Sequence, residues 1–235
     1  MNRILFLTAI ALVAATALGV AVLATPAESA IPPSSYFSAR VDNQWYPLKP
    51  GTQYVYTGVK DGQPSRDILT VTHQTKTIDG VPCVVVHDRL YLRGHLGERT
   101  TDWYSQDRQG NVWYFGEDTA ELDKNGKVAS TTGTWTAGVN GAQPGIYMPA
   151  HPRIGQSGRQ EFYKGQAEDR FKVIGLFGTV TAPGSKNALL TQETTPLEPG
   201  TIDHKLYVRG IGTVLEQTEK GGDERNELVT VTGGA

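Results

Sequence analysis

Cysteine is almost missing from this chain: among 235 residues, Cys83 carries the one thiol. No intramolecular disulfide can form, and no cysteine follows the N-terminal segment to accept a lipid anchor. Core packing and sheet hydrogen bonds must therefore hold the fold. Cys83 lies in Val81-Pro82-Cys83-Val84-Val85-Val86, a strand-forming run where a lone thiol acts as a small buried apolar group. An excess of either charge is missing as well. With 22 basic and 24 acidic residues the net charge is −2. That balance excludes the basic face a nucleic-acid partner requires and gives no support to docking on anionic lipid.

Charge is also absent from Ile4 to Ala24, a run preceded by Arg3 and followed first by Glu28. A basic start, an apolar stretch and a small-residue exit are the marks of a secretory signal peptide. Residues 1–30 are assigned to it, with cleavage between residues 24 and 30. An uncleaved anchor is the alternative, because the run is close to the ~20 residues that a bilayer crossing needs. Residues 31–38 form a spacer and 39–235 a single domain. The expected location is extracellular or in the cell envelope, with no membrane contact beyond the N-terminal segment.

Helical periodicity is missing from the rest of the chain. β-Branched and aromatic runs alternate instead with turn residues such as Lys60-Asp61-Gly62, Asp79-Gly80 and Asn125-Gly126, which read as hairpin turns. Roughly twelve strands without intervening helices predict an all-β fold, an antiparallel sandwich or an open or closed barrel.

Signatures of known chemistry are missing too: no zinc helix, no phosphate loop, no complete calcium loop. Gly155-Gln156-Ser157-Gly158-Arg159 falls one glycine short of a nucleophile elbow. Closely spaced metal ligands do not occur, so neither a metal nor a cofactor is expected.

What remains is strand alternation. Asp88 interrupts the apolar face Val84, Val86, Leu90, Leu92. His73 follows Leu69 and Val71, and His204 lies among Ile202, Leu206 and Val208. Alternate side chains share a face, so His73, Asp88 and His204 form a candidate inward polar cluster. A second candidate is an acidic and aromatic groove of Trp103, Trp113, Glu117, Asp118, Glu161, Glu168 and Asp169. Its carboxylates could pair as in a glycosidase and its tryptophans could stack on sugar rings.

Several stretches carry a resemblance. They are Trp103-Tyr104-Ser105-Gln106-Asp107, Gly110 to Thr119, Gln160 to Asp169, and Tyr207-Val208-Arg209-Gly210-Ile211-Gly212-Thr213-Val214. Together they resemble a group of exported bacterial proteins described as hypothetical, over most of the mature chain. The last stretch also resembles the final hairpin of lipoprotein-carrier-like half-barrels. The first resemblance implies a secreted β protein and brings no activity. The second implies an apolar-ligand carrier. The expected function is non-enzymatic: an exported β-domain binding a lipid, another apolar or amphipathic ligand, or a cell-surface glycan. A carbohydrate-active hydrolase and a structural wall-associated module are the alternatives.

Overall fold

The computed structural model describes residues 30–180 and 186–233, so the signal-peptide assignment falls outside the described residues except at Ala30. The architecture is all-β and antiparallel, with sixteen strands among the described residues where the turn pattern predicts about twelve. A single 3-10 turn, Ser34–Tyr36, precedes β1 (Phe37–Ser38), β2 (Gln53–Lys60), β3 (Gln63–Ile78), β4 (Val81–Leu92) and β5 (His95–Asp107). β6 (Val112–Leu122), β7 (Val128–Ser130), β8 (Trp135–Thr136), β9 (Gln143–Met148), β10 (Ser157–Arg159) and β11 (Glu161–Phe162) follow. The last five are β12 (Arg170–Val180), β13 (Lys186–Thr194), β14 (Ile202–Val208), β15 (Gly212–Lys220) and β16 (Arg225–Thr232). The strands that the turn pattern does not show are two- and three-residue pieces too short for alternation and β9, whose six residues include Pro144 and Gly145. No helix among the described residues is long and apolar enough to cross a membrane.

Asp79 (φ 47°) and Gly80 (φ 75°) both occupy the left-handed region, the geometry that lets a two-residue turn follow the strand twist. It joins β3 to β4, which pair from Ser65↔Leu92 to Ile78↔Val81. The strand order is β10-β12-β13-β14-β15-β16-β2-β3-β4-β5-β6-β9-β11. Its two ends, β10 and β11, are separated in sequence by Gln160 alone. The chain therefore stitches the first strand of the order to the last, and the sheet closes on itself. At this seam the backbones nearly touch: a Cβ on Gly145 of β9 would stand 2.4 Å from the Arg159 carbonyl oxygen.

One end of the barrel is plugged by residues 41–48, which fold back through a bridge between Val41 and Leu48. Asn43 organises the plug. Its Oδ1 accepts from the Trp45 and Tyr46 backbone N–H groups, and its Nδ2 donates to the Gly110 and Pro149 carbonyls. Tyr54 then donates its hydroxyl to the Pro47 carbonyl at 3.0 Å. The opposite end carries the β2–β3, β4–β5 and β15–β16 turns.

Apolar packing is concentrated outside the barrel lumen as well as within it. Phe37 meets Trp113 and Phe115 edge-on at 5.8 and 5.3 Å. Cys83 is fully buried and its thiol is pushed up to about 12 by burial, so it stays protonated and inert.

Candidate functional site

The lumen is where polar chemistry collects. Strand alternation points Asp67 and Leu69 of β3, Asp88 of β4, Asp102 and Tyr104 of β5, and Glu117 of β6 toward the inside. They line two adjoining chambers of about 150 and 220 Å³. The first lies against the plug and is walled by Tyr46, Leu48, Tyr56, Tyr104 and Tyr147. The second extends toward the open turns, past Glu98, Thr100 and Glu117, to Lys60 and Glu224. Asp67, Asp88, Asp102, Glu216 and Asn226 belong to both.

Two lysines reach this space, and each is already engaged. Lys205 of β14 contacts Glu193 at 3.0 Å and Glu216 at 3.3 Å. Glu193 also accepts from the Tyr207 and Thr191 hydroxyls, which makes the buried charge tolerable. Despite burial, these glutamates hold the Lys205 ammonium well above its ordinary range. Lys60 pairs with Glu224 at 3.4 Å near the mouth.

Asp67, Asp88, Asp102, Glu98 and Glu117 line the chambers without an ion-pair partner among the described residues. Burial raises the Asp88 carboxyl well above the usual carboxylate range, and the charge of the adjacent Asp67 pushes it the same way. Oδ1 of Asp67 is buried with no hydrogen-bond partner. Burial lifts Asp102 to about 7, against the pull of a 2.7 Å hydrogen bond from the Tyr114 hydroxyl to its Oδ1. Glu117 rises to about 9 by burial and by the charges of Asp102 and Glu161. Glu161 rises to about 8, by burial and the charge of Asp169, although Trp135 Nε1 donates to its Oε2 at 2.8 Å. Carboxyls that keep their protons near neutrality cost less to bury than charged ones.

The residues proposed from sequence are distributed as follows. Asp88 lies on the chamber wall. His73 is exposed, beside a bulge in the β3–β4 pairing between Val71 and Thr75. His204 contacts Glu219 at 3.5 Å and lines neither chamber. On β14 the side chains reaching inward are Lys205 and Tyr207, so the structure does not bring the two histidines to Asp88. Within the second set, Glu117 lines the lumen and Glu161 is buried beside it. Asp118 is exposed and Asp169 is exposed near Glu161. Glu168 accepts from the Gly165 N–H in a loop. Trp103 and Trp113 are 4% and 2% exposed, on the face opposite Tyr104 and Tyr114. Trp103 carries the Lys76 ammonium 3.4 Å above its ring, and Trp113 donates to Asp107 at 2.8 Å. Sequence reasoning missed Asp67, Asp102, Glu98 and the lumen tyrosines.

Among the described residues no group of three or more histidine, cysteine, aspartate or glutamate side chains has metal-holding geometry.

The chain matches no protein-family model and no curated protein. Among solved structures it is similar to one described as a "putative lipoprotein" from Parabacteroides distasonis ATCC 8503. The identity is 11%, the TM-score 0.42, and the match covers 81% of this chain and 100% of that one.

Proposed function

We propose that this chain is an exported β-barrel binding protein whose lumen takes a small amphipathic cation. One observation carries the reading. Tyr46, Tyr56, Tyr104 and Tyr147 enclose the same space as Asp67, Asp88 and Asp102, three carboxyls without an ion-pair partner among the described residues. Tyrosine rings attract a cation held within about 6 Å of their faces by ~0.5–2 kcal/mol each. A carboxylate deprotonated in this interior gains most when a cation arrives with it. The ring carbons, Leu48 and Leu69 offer an apolar surface to the remainder of the ligand.

The size of the space favours a small molecule over a long-chain lipid. The plug-side chamber holds about 150 Å³, below the 300–1,000 Å³ of typical drug-sized sites. A carbohydrate hydrolase draws support from the raised carboxyls of Glu117 and Glu161, but Trp103 and Trp113 offer no ring face to a sugar in the lumen. A purely structural module gives no reason for an enclosed polar volume. The N-terminal apolar run supports export.

Calorimetric titration of the mature protein with n-butylamine and with its neutral counterpart 1-butanol tests the proposal. Saturable binding of the amine that the alcohol lacks is the expected result. Equal heats for both, or none for the amine, would overturn it.

A further inference from the structure

Along β3, β4 and β5, strand alternation sorts charge by sign. Asp67, Asp88 and Glu98 turn into the lumen, and the residue beside each turns outward: Arg66, Arg89 and Arg99. The net charge of −2 conceals this division, because acids inside offset arginines outside. The register then brings the arginines together. Arg89 stands directly opposite Arg99. Tyr91 stands opposite Arg66 and Ile68 opposite Arg89, so Arg66 is the diagonal neighbour of Arg89. Opposite side chains have Cβ atoms ~5 Å apart and diagonal ones ~7–8 Å, and like charges placed opposite each other destabilise a sheet.

No acid lies between the three. The acids flanking them on this outer face are Asp118, opposite Thr101, and Glu227, opposite Thr57 and taken by Arg225 at 3.0 Å. None of the three arginines has an ion-pair partner among the described residues. Arg89 Nη1 donates to the Asp88 and Thr100 carbonyls, which hold the guanidinium in place without neutralising it. Burial and the Arg89 charge together lower His87, on the same face, below its ordinary value. Arg66 and Arg99 are exposed.

We propose that this outer face of β3–β5 docks an acidic polysaccharide, a chain of sugars carrying carboxylates. A guanidinium presents paired donors that match a carboxylate bidentately. One carboxylate set between Arg89 and Arg99 relieves their repulsion, and Arg66 takes a neighbouring charged sugar of the same chain. Tyr91 adds a ring with a polar tip beside Arg66, and Thr101 adds a hydroxyl on the other flank. A bilayer fits this face poorly. None of the exposed large apolar side chains among the described residues belongs to β3, β4 or β5, so nothing here can enter hydrocarbon.

Titration calorimetry of the mature protein with hexagalacturonate and with its methyl ester tests the proposal. The acid is expected to bind saturably and to weaken as sodium chloride rises from about 50 to about 300 mM, while the ester does not bind. Joint replacement Arg66→Gln and Arg99→Gln should weaken the acid about tenfold or more. Arg153→Gln, an exposed arginine between β9 and β10, should change it less than about twofold. If circular dichroism shows the double variant misfolded, Arg99→Lys keeps the charge, removes the fork and should still weaken binding about threefold. Equal binding of acid and ester, no binding of either, or an affinity indifferent to Arg66 and Arg99 would overturn the proposal. Co-sedimentation with phosphatidylglycerol vesicles while the hexamer stays unbound would overturn it too, and would give the face to a lipid surface.

Discussion

The Tyr114 hydroxyl donates to Oδ1 of Asp102 at 2.7 Å, inside a wall where nothing else in the described structure favours ionisation of that carboxyl by hydrogen bonding. Asp102 is thereby kept poised at about 7 while Glu117 and Glu161 rise to about 9 and 8. A donor to the charged form lowers a carboxyl pKa, so Tyr114→Phe should raise the Asp102 midpoint above 7. Carbon-13 titration of the aspartate carboxyls reads this directly. The same variant should weaken amine binding at pH 7 by roughly three- to tenfold, as more of Asp102 must lose a proton before it can pair.

Stability should fall as pH rises. Asp88, Asp102, Glu117 and Glu161 all have folded-state values above their unfolded ones, so the folded chain binds more protons than the unfolded chain. The stability from this difference is complete near pH 4 and erodes as pH passes about 7, then 8, then 9. The charges facing these groups are Asp67, Glu98 and Asp169, with Arg89 opposing on Asp102. The ligand-free melting temperature should therefore drop by several degrees from pH 5 to pH 9. Glu117→Gln should flatten the upper part of that slope. A melting temperature that climbs over this range would contradict the assignment.

Lys205 should be the most sensitive charge in the lumen. Lys205→Met removes the partner of Glu193, a side chain held at 7% exposure, and leaves it buried with hydroxyl donors alone. Breaking a buried pair from one side costs ~3–5 kcal/mol. For a domain of this size, that lowers the melting temperature by roughly 10 °C. Joint replacement of Lys205 by Met and Glu193 by Gln should recover part of the loss, because no orphaned charge then remains.

Gly145 should resist any side chain. Its Cα faces the Arg159–Gln160 backbone so closely that an alanine Cβ would lie 2.4 Å from a carbonyl oxygen. Gly145→Ala must push β9 away from the β10–β11 seam, with a cost of ~1–3 kcal/mol typical of overpacking. Hydrogen exchange should show the loss of protection first at the Gln160 amide, which donates to the Asp169 carbonyl beside the seam, with β2–β4 unaffected.

The strands were legible in the sequence where their own turns spoke. Asp79-Gly80 marks the β3–β4 hairpin by the conformation it adopts, and Asp88 stands out because the rest of its face is apolar. Asn125-Gly126 also lies in a turn, but with Asp123 Oδ1 accepting from the Asn125 and Lys127 N–H groups. His204 shows why the rest was hidden. The rule that puts the apolar face inward assumes an apolar interior, and this lumen is polar. On β14 it is Lys205 that turns in, toward Glu193 and Glu216, while His204 and Leu206 turn away. His73 was misplaced by the bulge after Val71, which no local pattern announces. Asp67, Glu98 and Asp102 lie on strands with polar residues on both faces, so nothing in the alternation singles them out. The tryptophans read as sugar platforms because sequence does not tell a buried ring from an open one.

β2 lies beside β16, with Tyr54 opposite Val231 and Thr57 opposite Glu227. The strand that begins the long run of hairpins thus finds one of its two neighbours in β16, the last strand among the described residues. Hairpins from β2 to β6 can form as they emerge, yet the sheet keeps an unsatisfied edge until β16 arrives. Pairing partners so distant in sequence slow folding, since chain entropy is surrendered before the contact repays it. During that interval β2 presents free N–H and C=O groups to any passing strand. The chain is therefore most vulnerable to aggregation in the interval before β16 pairs, and a truncation removing β16 would prolong that vulnerable state.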